Sequence, residues 1–185
     1  MPKYKHGKQT KILSAEGFES LLKVHKETMP LMHLALLTAM FHSGCRISEL
    51  LNLTMEKLKI TDSEILLEIH RLKGSAQTPP LPIPLDFVGV KDYLLPWLQS
   101  LNHADTTPLF PLHRVTAQRI VKQVFGAEYY PHWFRLIKLT KIGHNPKTHT
   151  QGHMKSFSGI KTERAREAYL ATTEESMREA QEANE

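Results

Sequence analysis

At 185 residues the chain can bury a sizeable core and is most simply one domain. Hydrophobic and charged fractions of 41% and 23% are those of an ordinary globular protein. No run approaches the roughly 18 apolar residues of a membrane span and no signal peptide is visible, so a soluble, intracellular chain without a membrane partner is expected. A formal charge of +5 favours an anionic partner, and the single cysteine, Cys45, excludes an internal disulfide and points to a reducing compartment.

Residues 1–13 form a basic arm or linker (Lys3, Lys5, Lys8, Lys11), either a solvated tail or a strand-tracking arm. Ser14 can cap a helix through Phe18, Leu21, Leu22 and His25 that ends near Met29 and Pro30. Leu31 to Phe41 is apolar on nearly every side, which predicts a buried central helix. Gly44 then turns the chain, and Arg46 to Thr54 is predicted helical, with Leu50 and Leu53 at i+4 and i+7 from Arg46.

The period changes from there. Lys57 to Ile60 alternates, Thr61-Asp62-Ser63 reads as a turn, and Glu64 to His70 reads as a strand. A loop at Lys73-Gly74 leads to Pro80-Leu81-Pro82-Ile83-Pro84, whose alternating prolines permit only an edge strand or extended coil. Leu85 to Leu101 is periodic but interrupted at Pro96, and residues 106–111 form a loop. Val115 to Phe125 is an amphipathic helix exposing Arg119 and Lys122, and Tyr130-Pro131 opens another through Ile142. Thr148 to Phe157 is a weaker helix, and Thr162 to about Ala183 a long charged one. The expected class is mainly α with a small antiparallel β-sheet, an α+β fold of helices, sheet, helices.

Two clusters carry candidate chemistry. Arg46 stands beside the Gly44 turn with Glu49 one helical turn on, near enough to hold the guanidinium. Such an arginine suits phosphate binding, although a surface arginine at a helix start fits those residues equally well. His132 and Arg135, at i and i+3, share a helix face and can address one phosphate. The histidines at 144, 149 and 153 include an i, i+4 pair but no cysteine or acidic partner in the run, so neither a metal site nor a cofactor is expected.

From Gly44 to Leu53 the sequence Gly-Cys-Arg-Ile-Ser-Glu-Leu-Leu-Asn-Leu resembles the first arginine box of the tyrosine recombinases, the phage integrase family, which reads Gly-x-Arg-x-x-Glu-Leu-x-x-Leu. His132 to Arg135 resembles that family's His-x-x-Arg box. The order of elements is that of the integrase catalytic domain, assigned here to 14–185 with a C-terminal helical tail. The separate N-terminal core-binding domain that most such enzymes carry is not represented, so a catalytic fragment or a single-domain form is expected.

The resemblance implies site-specific cleavage and rejoining of double-stranded DNA, in recombination or in the integration of a virus or other mobile element. It also implies self-assembly as a dimer or tetramer on DNA. It makes Lys73 the β-hairpin lysine that protonates the leaving oxygen. Tyr169, ten residues past Gly159, becomes the nucleophile. Arg46 and Arg135 would neutralise the charge that builds on the non-bridging oxygens, His132 would transfer a proton, and Glu49 would support Arg46. The chain departs from the pattern at Ile160, where the family has a histidine or tryptophan that donates a hydrogen bond; the neighbouring Lys161 is the expected substitute. The alternatives are a DNA-binding module of the same fold with weak or lost catalysis, and type IB topoisomerase-like relaxation.

Overall fold

The structure, a computed structural model, describes residues 13–69, 80–102 and 104–144. Residues 1–12, residues 70–79 with Lys73, and residues 145–185 with His149, His153, Gly159, Ile160, Lys161 and Tyr169 lie outside the described residues.

Helix α1 (Ala15–His25) begins where the sequence provides a cap: Ser14 is extended and its hydroxyl accepts the Gly17 N–H at 3.0 Å. Glu16 in the first turn and Lys23 and His25 in the last match the helix dipole. Its inner face buries Phe18 and Leu22, one turn apart. The helix stops at His25, sooner than expected, and hydrogen-bonded turns carry the chain to Met29, whose N–H bonds the His25 carbonyl.

Helix α2 (Leu31–Ser43) starts after Pro30 and is the buried centre, with every residue from Leu34 to Ser43 shielded from water. A helix apolar on all sides is stable only with protein on all sides. The Phe18 ring stacks on Phe41 at 4.1 Å between centroids, and meets Phe134 edge-on at 6.5 Å. Phe134 in turn meets Phe125 edge-on at 5.2 Å, so one aromatic cluster ties four helices together. The His42 Nε2–H donates to the Val88 carbonyl at 2.8 Å, fastening the end of α2 to the turn after the sheet.

Helix α3 is short, Ile47–Leu51, where the sequence suggests a helix from Arg46 to Thr54. Asn52 leaves helical geometry, and a single 3₁₀ turn (Met55–Lys57) leads into the sheet. Backbone bonds from the chain after Leu50 go instead to the 104–110 loop: Leu109 N–H to the Leu53 carbonyl and Met55 N–H to Thr107. Tertiary pairing has thus ended the helix.

Strands β1 (Leu58–Ile60), β2 (Glu64–Leu67) and β3 (Leu81–Pro84) form an antiparallel sheet in the order β1-β2-β3. The proline-bearing β3 occupies an edge, as its missing N–H groups require. Ile65 pairs with Ile83 and Leu67 with Leu81, and these four side chains face the core. The second strand ends at Leu67, short of the expected His70.

Leu85 to Leu101 is not one helix. Residues 85–89 turn, Gly89 adopts φ +75°, and a π-helical turn (Val90–Leu94) runs into α4 (Leu95–Gln99). Pro96 has no N–H to give the preceding turn, and a widened turn accommodates that loss. Helix α5 (Arg114–Phe125) buries Ala117, Ile120, Val121 and Val124 and exposes Arg119 and Lys122, as its periodicity predicts. Helix α6 (Pro131–His144) opens on its proline and continues two residues past the expected end at Ile142. Among the described residues no helix is long and apolar enough to cross a membrane.

Candidate functional site

The site is built on the C-terminus of α2. Gly44 caps that helix in the left-handed region (φ 58°, ψ 21°), where a side chain is strained. The position is also closed sterically. A Cβ on Gly44 would stand 2.7 Å from the Cβ of Lys138 and 2.8 Å from its Cγ, because α6 crosses directly over the turn. Glycine is therefore needed twice, once for the torsion and once for the crossing.

Arg46 is extended and serves as the N-cap of α3 instead of lying inside the helix. Glu49, one turn on and with its side chain wholly buried, grips this arginine with both oxygens. Oε2 accepts the Arg46 backbone N–H at 2.9 Å and Oε1 accepts the guanidinium Nη1–H at 2.7 Å. The buried carboxylate thereby satisfies an orphan N–H at the helix start and fixes the guanidinium direction. The Arg46 side chain stays 29% exposed, and among the described residues no other protein group accepts from its guanidinium. The arginine is held through Nη1 and its side chain remains partly exposed, an arrangement suited to an anion.

Helix α6 supplies the second half. Arg135 is 1% exposed, and its Nη1–H donates to the Gly44 carbonyl at 3.2 Å. The sequence suggests two side chains on one face addressing the same anion; the structure adds that Arg135 is a core residue anchored to the turn that carries Arg46. His132, one turn earlier, has an open outer edge. Its imidazolium is nonetheless disfavoured: lost hydration holds its pKa below the ordinary 6.5, and the charges of Arg135 and Arg46 push the same way. These influences favour the neutral imidazole of His132, which lies within electrostatic reach of both arginines.

The structure thus brings Arg46, Glu49, His132 and Arg135 to one place. Lys73, Lys161 and Tyr169 lie outside the described residues. Lys138, whose Cβ and Cγ lie over Gly44, was not singled out in the sequence, because the crossing of α6 over that turn is not a local property. Among the described residues no group of three His, Cys, Asp or Glu side chains could hold a metal ion. The chemistry available among the described residues is the binding and polarisation of an anionic oxygen by the fixed, partly exposed Arg46 guanidinium beside a proton-accepting imidazole.

No protein-family model matches the sequence, and no curated protein sequence matches it. Solved structures do match in shape. The XerH site-specific recombinase bound to difH substrate in a pre-cleavage complex superposes with a TM-score of 0.63 at 16% identity, over 84% of this chain and 48% of that one. XerH in a post-cleavage complex with palindromic difH substrate gives 0.64 at 15% identity, over 97% and 54% of the two chains. The XerA recombinase gives 0.64 at 15% identity, over 100% and 66%. The chain spans about half to two-thirds of the length of these structures. With its helices flanking a small antiparallel sheet, the chain has the tyrosine recombinase catalytic fold.

Proposed function

We propose that the chain is the catalytic domain of a site-specific tyrosine recombinase, which cuts and rejoins double-stranded DNA through a covalent 3′-phosphotyrosyl intermediate. The observation that carries this reading is the Arg46 guanidinium, fixed by buried Glu49 and partly open to solvent, beside Arg135 and a neutral His132, in a recombinase fold. Support for DNA as the substrate comes from XerH, whose structures are complexes with difH DNA. Helix α5 adds to it: exposed Arg114, Arg119 and Lys122 share a helix without a single acidic residue.

In this reading the Tyr169 phenolate attacks the scissile phosphorus and the bridging bond to the 5′ oxygen breaks. Arg46 and Arg135 stabilise the negative charge on the non-bridging oxygens, as preorganised donors do for developing oxyanions. Lys73 gives its proton to the departing 5′ oxygen, and His132 takes the tyrosyl proton. The phosphotyrosyl link keeps the energy of the broken bond, so a 5′-hydroxyl can reverse the step without a cofactor. Strand exchange requires assembly of several copies on DNA, a dimer or tetramer.

A nicked duplex that loses its short 5′-hydroxyl fragment tests the proposal. The expected result is a covalent DNA–protein adduct that maps to Tyr169. Ile160 favours a second reading, a DNA-binding module of this fold without catalysis. Tight DNA binding with no adduct under single-turnover conditions would establish that reading instead. If an adduct forms, relaxation of a supercoiled plasmid without strand exchange would assign topoisomerase-like activity.

A further inference from the structure

The peptide unit between Gly44 and Cys45 is held on both sides. Its carbonyl accepts from the Arg135 guanidinium at 3.2 Å, and its N–H donates to the Ser43 hydroxyl at 3.2 Å. The Gly44 carbonyl and the Cys45 N–H belong to one planar trans unit, so the two bonds leave it in opposite directions. Ser43 is the last residue of α2, and its hydroxyl closes a turn onto the N–H two residues on. The Cys45 Sγ–H donates to the Ser43 carbonyl at 3.8 Å and closes the same turn from the other side. The peptide before Gly44 is fixed by the helix itself, through the Gly44 N–H on the Met40 carbonyl at 3.1 Å. The peptide after Gly44 has no such constraint, because glycine is the residue with the widest choice of torsions. Its plane is set by the groups that its N–H and carbonyl meet. Two hydrogen bonds on one peptide polarise each other, so each strengthens the other. Ser43 is wholly shielded from water, and the gap left by a lost hydroxyl is smaller than a water molecule needs.

We propose that Ser43 is a positioning residue for cleavage: its hydroxyl sets the plane of the Gly44–Cys45 peptide, and the carbonyl of that peptide aims the Arg135 guanidinium. This role rests on the recombinase reading. Ser43 is buried and meets no reacting atom, so it acts only through Arg135. A donor fixed before the reaction stabilises developing charge better than one that must reorient during it. The same peptide leads into Arg46, so a rotated plane would also displace the start of α3.

The experiment compares Ser43→Ala and Ser43→Thr with wild type, each as the full chain on the nicked duplex at saturating DNA. Ser43→Ala should lower the single-turnover cleavage rate about tenfold, the effect of one hydrogen bond on a barrier. Duplex affinity should stay within about twofold, since neutralising the DNA backbone does not depend on the aim of one buried arginine. Ser43→Thr keeps the oxygen and should restore the rate. A merely structural role would lower melting temperature, rate and affinity together. The aim of Arg135 is read without DNA from its guanidinium NMR signals. These should show slow rotation and slow exchange in wild type and Ser43→Thr, and averaging in Ser43→Ala. Unchanged signals in folded Ser43→Ala, or an unchanged cleavage rate, would overturn the role of Ser43 and leave the recombinase reading standing. A wild-type chain that forms no adduct would remove the recombinase reading and with it the catalytic role of Ser43, whatever the Arg135 signals show.

Discussion

The buried Arg135 guanidinium donates to the Gly44 carbonyl, joining two sequence motifs 91 residues apart. Gly44 is therefore the hinge point of the site: its torsion turns α2 toward Arg46, its lack of a side chain admits α6, and its carbonyl orients Arg135. A change at this glycine should disturb both arginines together.

Gly44→Ala is the direct check. The left-handed torsion costs an L-residue about 1–2 kcal/mol, and the clash with the Lys138 stem adds a similar overpacking penalty. The expected outcome is a lower midpoint in denaturant unfolding, with DNA cleavage reduced beyond what the folded fraction explains. A variant as stable as wild type would contradict the crossing geometry.

Arg46 and Glu49 should separate stability from chemistry. Arg46→Ala strands a wholly buried carboxylate and should destabilise the fold by about 3 kcal/mol, as well as slowing cleavage at least about 10²-fold. Arg46→Lys should recover stability better than rate, because the ammonium neutralises Glu49 but loses the fork. The double variant Arg46→Met/Glu49→Leu should be more stable than Arg46→Ala and inactive. Denaturant unfolding beside single-turnover rates distinguishes these effects.

His132 and the half-buried His33 both titrate below the ordinary 6.5, His33 through lost hydration alone. Between the unfolded and folded values the unfolded chain binds more protons, so stability is full above about pH 6.5 and falls as pH drops toward the folded values. Thermal melts from pH 7.5 to about 5 should show this decline. His132→Gln should flatten part of it, and an unchanged pH profile would show that His132 carries no depressed pKa.

Tyr169→Phe should abolish the covalent adduct while leaving duplex affinity within a few-fold, because binding rests on cations and the phenol acts only in the chemical step. An adduct that survives, or that maps to Tyr129 or Tyr130, would rule out this nucleophile.

Lys161→Ala tests the departure at Ile160. A hydrogen bond to a charged group is worth roughly 1.5–3 kcal/mol, so loss of a donor at the phosphate should slow cleavage about tenfold or more. If the slot is vacant, Lys161→Ala has no effect and Ile160→His accelerates the single-turnover rate.

Much of the scaffold was legible without coordinates because it follows from short-range rules. Ser14 caps α1, the all-round apolar run makes α2 the core, prolines put β3 at an edge, and periodicity turns Arg119 and Lys122 outward. The Arg46–Glu49 pair was accessible from the spacing of three, although it forms as a capping box from the extended N-cap and not across one helix face. Where tertiary pairing competes with local preference, the sequence misled. The chain after Leu51 left the helix to bond the 104–110 loop, and the periodic stretch from Leu85 became helical only at Val90, beyond the Gly89 turn and the His42–Val88 tie.

By itself the sequence determined which residue types could bind a phosphate and the helices that carry them, because spacing along a helix is a local property. Only the tertiary structure decided that Arg135 is buried, that Gly44 supplies its acceptor, and that Lys138 lies over the same turn. Those facts depend on how α6 crosses the end of α2, and a crossing is set by packing between segments far apart in the chain.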